Sequence, residues 1–289
     1  MGFSCVTYNI QYGFGMDGAY NLERIAEAVR GADVIALQEV TRHMPNNNMV
    51  DMVADLRALL PDYFAIYGSP FTVDVGSALE NGRVVDRGFE FGNMVLCRTP
   101  IIASRILPLP RSARYDILNL QRCAVEAVIE TPVGHVRFYS VHLDHASVDE
   151  RLDQIASLKD MILDYQRSGG AVTALSSVGM PDLPDADHAL ALGDFNLEPE
   201  GAEYAAMCGT FEANHGRTRS ADYLVDVTRP DNDPVRDALT YFDPEGKERS
   251  QRLDYLFATP LLAPHCHSPR VDGDDQGSDH RPVWVMIGD

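Results

Sequence analysis

Residues 3–10 read FSCVTYNI and residues 33–40 read DVIALQEV. Each is an apolar run of strand length that delivers a polar or acidic side chain near its end, Asn9 in the first and Glu39 in the second. Between them Asn21 precedes Leu22, Ile25, Ala26 and Val29 at helical spacing, and Gly31 stops the pattern. Strand, helix and strand in that order predict a parallel pair joined by a right-handed crossover.

The same punctuation recurs downstream. Residues 135–143 form a strand in which Val136, Phe138, Ser140 and His142 share one face. HALALG at 188–193 leads into Asp194 and Asn196. Further strands are expected at 93–97, 122–130, 251–258 and 282–287, with a hairpin turn at Thr131-Pro132-Val133-Gly134. A second helix is expected over 49–60, with Met49, Val53, Leu56 and Leu60 in one stripe. Ser147 with Glu150 three residues later opens a third helix, with Leu152, Ile155, Leu158 and Ile162 inward. Residues 71–90, 212–237 and 264–279 read as loop, and 171–186 as an insertion. No repeat or composition break divides the chain, so residues 1–289 are expected to form a single domain of class α/β, with sheets packed face to face and helices outside.

The formal net charge of −19 repels polyanions and argues against tight non-specific DNA binding, which depends on Lys and Arg neutralising phosphates. Five cysteines without metal-type spacing read as free thiols, which favours a reducing, cytoplasmic setting. No apolar run reaches the roughly 18 residues of a membrane span.

The chemistry lies where the strands end. Asn9, Glu39, His142, Asp194, Asn196, Asp254, Asp279 and His280 together make an oxygen-rich set with acid/base capacity. Hard divalent cations such as Mg²⁺ take oxygen ligands, and phosphate-ester hydrolysis needs such a cation and a positioned water. Asp194 and Asn196, two apart after a strand, can face one water; the plainer reading of the pair is an Asx-type turn. Asp254 is suited to accept one ring N–H of His280 and fix its tautomer.

The ordered motifs TYNI, LQEV, VHLDH, LGDFN, RLDY and SDHRP resemble those of the endonuclease/exonuclease/phosphatase superfamily over residues 6–284. The resemblance implies a four-layer α-β-β-α sandwich with its site at one edge of the two sheets. It further implies Glu39 as the central metal ligand, with Asn9 and Asp279 beside the same ion, and Asp194 as the group that positions or deprotonates the attacking water. His280 would contact the scissile phosphate. Asn93 and Arg122 match positions near the phosphate pocket. His142 resembles the DNase-I-type, sphingomyelinase-like and deadenylase-like branches, and would bind phosphate or protonate the leaving oxygen. Gln11 departs from the Asp often found in exonuclease III-type enzymes, so one Mg²⁺ is expected, with Mn²⁺ as a possible substitute.

The expected function is therefore Mg²⁺-dependent hydrolysis of a small, lipid or metabolite phosphodiester, with a phosphoester substrate as partner and nucleic acid disfavoured by the net charge. A nuclease acting on DNA or RNA is the alternative. Loss of Glu39, Asp194 or His280 would mark a catalytically silent binding module, and all three are present.

Overall fold

The computed structural model describes residues 2–228 and 238–288. Among these, the larger sheet runs β16 (Cys266–Val271), β17 (Val283–Ile287), β1 (Phe3–Asn9), β2 (Val34–Arg42), β7 (Gly88–Cys97) and β3 (Phe64–Gly68), with β4 (Val73–Asp74) also paired to β7. The second sheet runs β14 (Val225–Asp226), β15 (Asp254–Ala258), β11 (His188–Asp194), β10 (Gly134–His142), β9 (Cys123–Thr131) and β8 (Ala103–Pro108). Two small hairpins, β5 (Ala78–Glu80) with β6 (Arg83–Val85) and β12 (Phe211–Glu212) with β13 (Gly216–Arg217), stand apart. The helices are α1 (Leu22–Val29), α2 (Met52–Leu59), α3 (Val148–Leu163), α4 (Tyr165–Ser168) and α5 (Ala202–Cys208).

Three apolar clusters arrange these elements as four layers. Cys5, Val34, Ala36 and Val95 of the first sheet meet Val125, Phe138, Leu190, Leu192 and Leu256 of the second. On the outer face of the first sheet, Val6, Tyr8, Ile35 and Leu37 pack against Ile25 and Val29 of α1 and Met52 and Leu56 of α2. On the outer face of the second, Tyr139, Val141, Ala191 and Phe257 pack against Ile155 and Leu158 of α3 and Met207 of α5. The protein is thus the expected α-β-β-α sandwich. The parallel pairings β1–β2 and β10–β11 each enclose a helix in their connection, as the crossover rule requires.

The period of two puts Cys5, Thr7 and Asn9, or Leu190, Leu192 and Asp194, on one face of their strands. A carboxylate in the middle of that inter-sheet face would cost several kcal/mol, on the order of the penalty for an unpaired buried charge. The face is accordingly apolar in its interior and turns polar towards one edge. Below that edge Gln38 Nε2 donates to Ser140 Oγ at 3.0 Å, and Asn93 Nδ2 donates to the Ser140 and Cys123 carbonyls at 3.1 and 3.0 Å. These bonds tie the two sheets together beneath the site.

The local signals hold at the caps. Asn21 accepts from Arg24 N at the start of α1, and Ser147 from Glu150 N at the start of α3. Other readings move. The second helix starts at Met52 behind an Asp51 cap, so Met52 takes the buried place expected of Met49, which lies ahead of the helix at φ 59°. Leu152 of α3 is only partly buried, whereas Glu150 and Gln154 face inward to hold the β8–β9 loop. The 264–279 loop contains β16, an edge strand with a register shift between His267 and Arg270. Residues 71–90 contain β4 and the Asn81-Gly82 hairpin, and β3, β8 and α5 were not legible. The 171–186 segment carries a single short 3₁₀ turn, Leu175–Val178. Arg137, fully buried, fastens its far end by donating to the Ala186 carbonyl at 2.7 Å. Within the irregular stretch at 212–237, residues 229–237 lie outside those described; the rest holds β12, β13 and β14.

Candidate active site

Strand register assembles one row of the site. His142 at the end of β10 pairs with Asp194 at the end of β11, and Asp194 pairs in turn with Asp254 at the start of β15. The register demands glycine before Asp194. Gly193 has φ 155°, and a Cβ there would lie 1.9 Å from the Val141 carbonyl oxygen.

The opposite sheet supplies Asn9 and Glu39. Ile35, Leu37 and Val40 all face the helices, so one extra residue intervenes between Leu37 and Val40. The β2–β7 register breaks there, and Glu39 adopts φ 62°. A bulge of this kind re-aims one side chain at the cost of local strain. It brings the Glu39 carboxylate to Asn9 Nδ2 at 3.3 Å and to His142 Nε2 at 4.0 Å.

Asp194 Oδ2 is the meeting point of the two sheets. It accepts from Asn9 Nδ2 at 3.0 Å and lies 3.5 Å from His142 Nε2 and 3.7 Å from His280 Nε2. Its other oxygen accepts from Asn196 N at 2.9 Å, so the Asx turn is present while Oδ2 still faces the site. Asn196, at φ 49°, donates its amide to the Leu143 carbonyl at 3.1 Å.

His280 Nδ1 contacts Asp254 Oδ2 at 2.7 Å, and Tyr241 packs on its ring at a centroid distance of 5.2 Å. Burial opposes a charged ring, but Asp254 and Asp194 more than offset it and hold His280 at about 10. His142 is the opposite case. Burial, then Arg122 and His280, push it well below 6.5, so it is neutral at physiological pH. Glu39 is pushed up to about 7 by burial and by Asp279, with His280 and Arg122 acting against the shift. Asp279 is itself raised by burial and bonded to Ser278 Oγ at 3.1 Å.

Arg122 is buried and held over Phe91 at 6.0 Å. Its Nη2 contacts His145 Nδ1 at 3.2 Å, whereas Nε and Nη1 have no partner. His142 Nδ1 likewise has none. Pro70, Phe91, Asn93, Gln121, Arg122 and His142 line one small pocket. Asn93 is therefore at the pocket, but its amide donates to two backbone carbonyls, and it braces the wall.

Every residue singled out in the sequence lies at this edge. Several supporting residues were not foreseen. Thr240 accepts from the Leu253 and Asp254 amides, Ser278 donates to the Asn9 carbonyl at 2.8 Å, and Tyr241 and Phe91 flank the two imidazoles. Ser278 sits inside the SDHRP motif and was within reach of sequence reading; Thr240, Tyr241 and Phe91 lie in stretches with no local signal.

The solved structures that resemble the chain share this architecture. An endonuclease/exonuclease/phosphatase from Beutenbergia cavernae is 23% identical at a TM-score of 0.65, covering 99% of this chain and 72% of that one. The mannosyl-6-phosphatase Bt3783 of Bacteroides thetaiotaomicron is 19% identical at 0.59, with 99% and 100% covered. Truncated TDP2 of Caenorhabditis elegans is 16% identical at 0.60, with 100% and 98% covered. At these identities the likeness is one of fold. Comparison with curated proteins returns no match. The sequence model of the endonuclease/exonuclease/phosphatase family matches residues 6–280, and with the fold and the converging acid/base groups this makes the chain a member of that family of metal-dependent phosphoester hydrolases.

Proposed function

We propose that the chain is a Mg²⁺-dependent phosphodiesterase that cleaves a P–O bond in a small, lipid or metabolite substrate by in-line attack of water. The observation that carries this reading is Asp194 Oδ2, which lies 3.5 Å from His142 Nε2 and 3.7 Å from Nε2 of His280, whose Nδ1 is held by Asp254. A carboxylate acceptor beside a fixed imidazolium suits the two charges of the reaction: a proton leaving water and negative charge growing on phosphoryl oxygens.

The oxygen donors fit a hard cation. Glu39, Asp279 and Asn9 would hold it, and the raised Glu39 carboxyl is the crowding that a bound cation relieves. Among the described residues no three His, Cys, Asp or Glu side chains form a metal cage. Mg²⁺ commonly keeps several waters and takes one or two carboxylates, so that finding accords with a single ion. Asn9 turns its NH₂ group to the carboxylates while Oδ1 accepts from Gln11 N, so its amide must turn over to offer oxygen. When bound, the ion neutralises phosphate charge and stabilises the leaving oxygen.

The chain's own groups do the rest. Asp194 Oδ2 accepts the proton of the attacking water. His280 donates Nε2–H to a non-bridging oxygen, with Asp254 holding Nδ1. Arg122 offers its free N–H groups to the phosphoryl group from the other wall. The neutral state of His142 favours phosphate binding over protonation of the leaving oxygen.

The net charge of −19 favours a small substrate over duplex nucleic acid. Five free cysteines support a reducing, cytoplasmic setting, and among the described residues no helix is long and apolar enough to cross a membrane. The test is a hydrolysis screen with Mg²⁺ and with Mn²⁺ on bis-p-nitrophenyl phosphate, p-nitrophenyl phosphate, DNA, RNA and sphingomyelin. Turnover of diesters in preference to monoesters and nucleic acids supports the reading. Monoester preference moves it to a phosphatase, and preference for DNA or RNA to a nuclease.

A further inference from the structure

His145 stands outside the machinery described so far. It follows the strand that delivers His142, and 47% of its side chain is exposed. Its neighbour Asp144 braces the turn into α3, with Oδ2 accepting from the Ala146 and Ser147 amides at 2.9 and 2.7 Å and Oδ1 from Asn119 Nδ2 at 3.2 Å. His145 takes no part in that brace. Its Nδ1 turns back to Arg122 Nη2 at 3.2 Å. A guanidinium only donates, so Nδ1 is the acceptor, the ring is neutral and its proton sits on Nε2.

Among the buried arginines described, Arg137 and Arg281 bond to carbonyl and hydroxyl oxygens, and Arg122 is held by an imidazole. Arg105, Arg151 and Arg252 are each matched to a carboxylate, Glu126, Glu203 and Asp226. Arg122 is as deeply placed, yet the group that holds it is uncharged, and its Nε and Nη1 remain without partners. A carboxylate in the place of His145 would orient the guanidinium equally well but would cancel the charge that draws an anion. A neutral ring orients without cancelling.

We propose that His145 is a positioning residue. It fixes Arg122 through Nη2 so that Nε and Nη1 meet a phosphoryl oxygen with no carboxylate bonded to the guanidinium. The inference rests on Arg122 being the phosphate-binding arginine of the proposed reaction. The charged groups that face His145 are Arg122, Asp144, Arg151 and Arg114. Burial and the three arginines, against one carboxylate, keep the ring neutral.

The test is calorimetric titration of inorganic phosphate into the Mg²⁺-loaded full chain at neutral pH. The proteins are wild type, Arg122→Gln, His145→Ala, His145→Asn and His145→Asp. Arg122→Gln is expected to weaken phosphate about tenfold or more, the loss of a charge-assisted hydrogen bond. His145→Ala is expected to weaken it comparably. His145→Asn, whose Oδ1 replaces Nδ1 as a neutral acceptor, should bind within about twofold of wild type. His145→Asp keeps an acceptor but neutralises Arg122, and should fall with the Ala variant. A merely structural role would treat Asn and Asp alike, so this pair decides even if the Ala variant folds poorly. Equal binding by the Asn and Asp variants, with Arg122→Gln impaired, overturns the role of His145 and leaves Arg122 in place. Unimpaired phosphate binding by Arg122→Gln overturns the phosphate-site reading itself, and His145 with it.

Discussion

His280 Nδ1 lies 2.7 Å from Asp254 Oδ2, and both side chains are buried. The pair holds His280 as an imidazolium whose other nitrogen faces Asp194. The Asp254 charge is therefore expected to set the alkaline limit of activity. Wild type should show no loss attributable to His280 until the pH approaches about 10. Asp254→Asn should draw that limb down towards neutrality, as the ring loses its main counter-charge against burial. A pH–rate profile of both proteins checks this; coincident alkaline limbs would remove Asp254 from the role.

Glu39 gives a stability prediction in metal-free protein. Its carboxyl is raised from 4.5 to about 7, so the native state binds the proton more tightly than the unfolded chain. The stabilising contribution is complete below about 4.5 and is lost as pH rises through about 7. Glu39→Gln cannot lose it. Urea titrations under chelation should show the Gln variant gaining on wild type across that window and levelling off above it. A constant difference would mean that Glu39 titrates normally.

His142 and His280 should separate by leaving group. His280→Ala is expected to depress turnover of p-nitrophenyl and alkyl esters alike, the pattern of a donor to the phosphoryl oxygens. His142, neutral in its buried setting, should also lose evenly on both. A loss for His142→Ala confined to alkyl esters, which need a proton on the leaving oxygen, would reinstate it as the proton donor.

Gly193→Ala tests the strand geometry that carries Asp194. The added Cβ meets the Val141 carbonyl at 1.9 Å, so β10 and β11 must separate. A destabilisation above roughly 3 kcal/mol is expected, in the range of backbone-strain mutants. Denaturant midpoints measure it, and a value near wild type would show that the register can shift without cost.

The strand ends were readable because each terminates an apolar run, and period-two alternation correctly put His142 on the face of Val136 and Phe138. Glu39 shows the limit. Its place at a strand end was legible, but the bulge that aims it is a tertiary event, hinted at only by the 35, 37, 40 spacing of its apolar neighbours. β8 and β16 escaped because they are edge strands with exposed polar alternation, weak in apolar signal. Arg122 was placed near the phosphate pocket by motif resemblance alone. Its burial without a carboxylate depends on Phe91 and His145, which lie 31 residues before it and 23 after it.

These groups are proposed to form a metal-dependent hydrolytic site around Asp194. Its most direct test is the initial rate on bis-p-nitrophenyl phosphate for wild type and Asp194→Asn, each assayed with Mg²⁺, with chelator, and with Mg²⁺ restored. Wild-type turnover should be abolished by chelation and restored by Mg²⁺, and Asp194→Asn should lose at least about a hundredfold, the scale of a missing general base. Turnover that survives chelation, or that Asp194→Asn retains, would contradict this assignment.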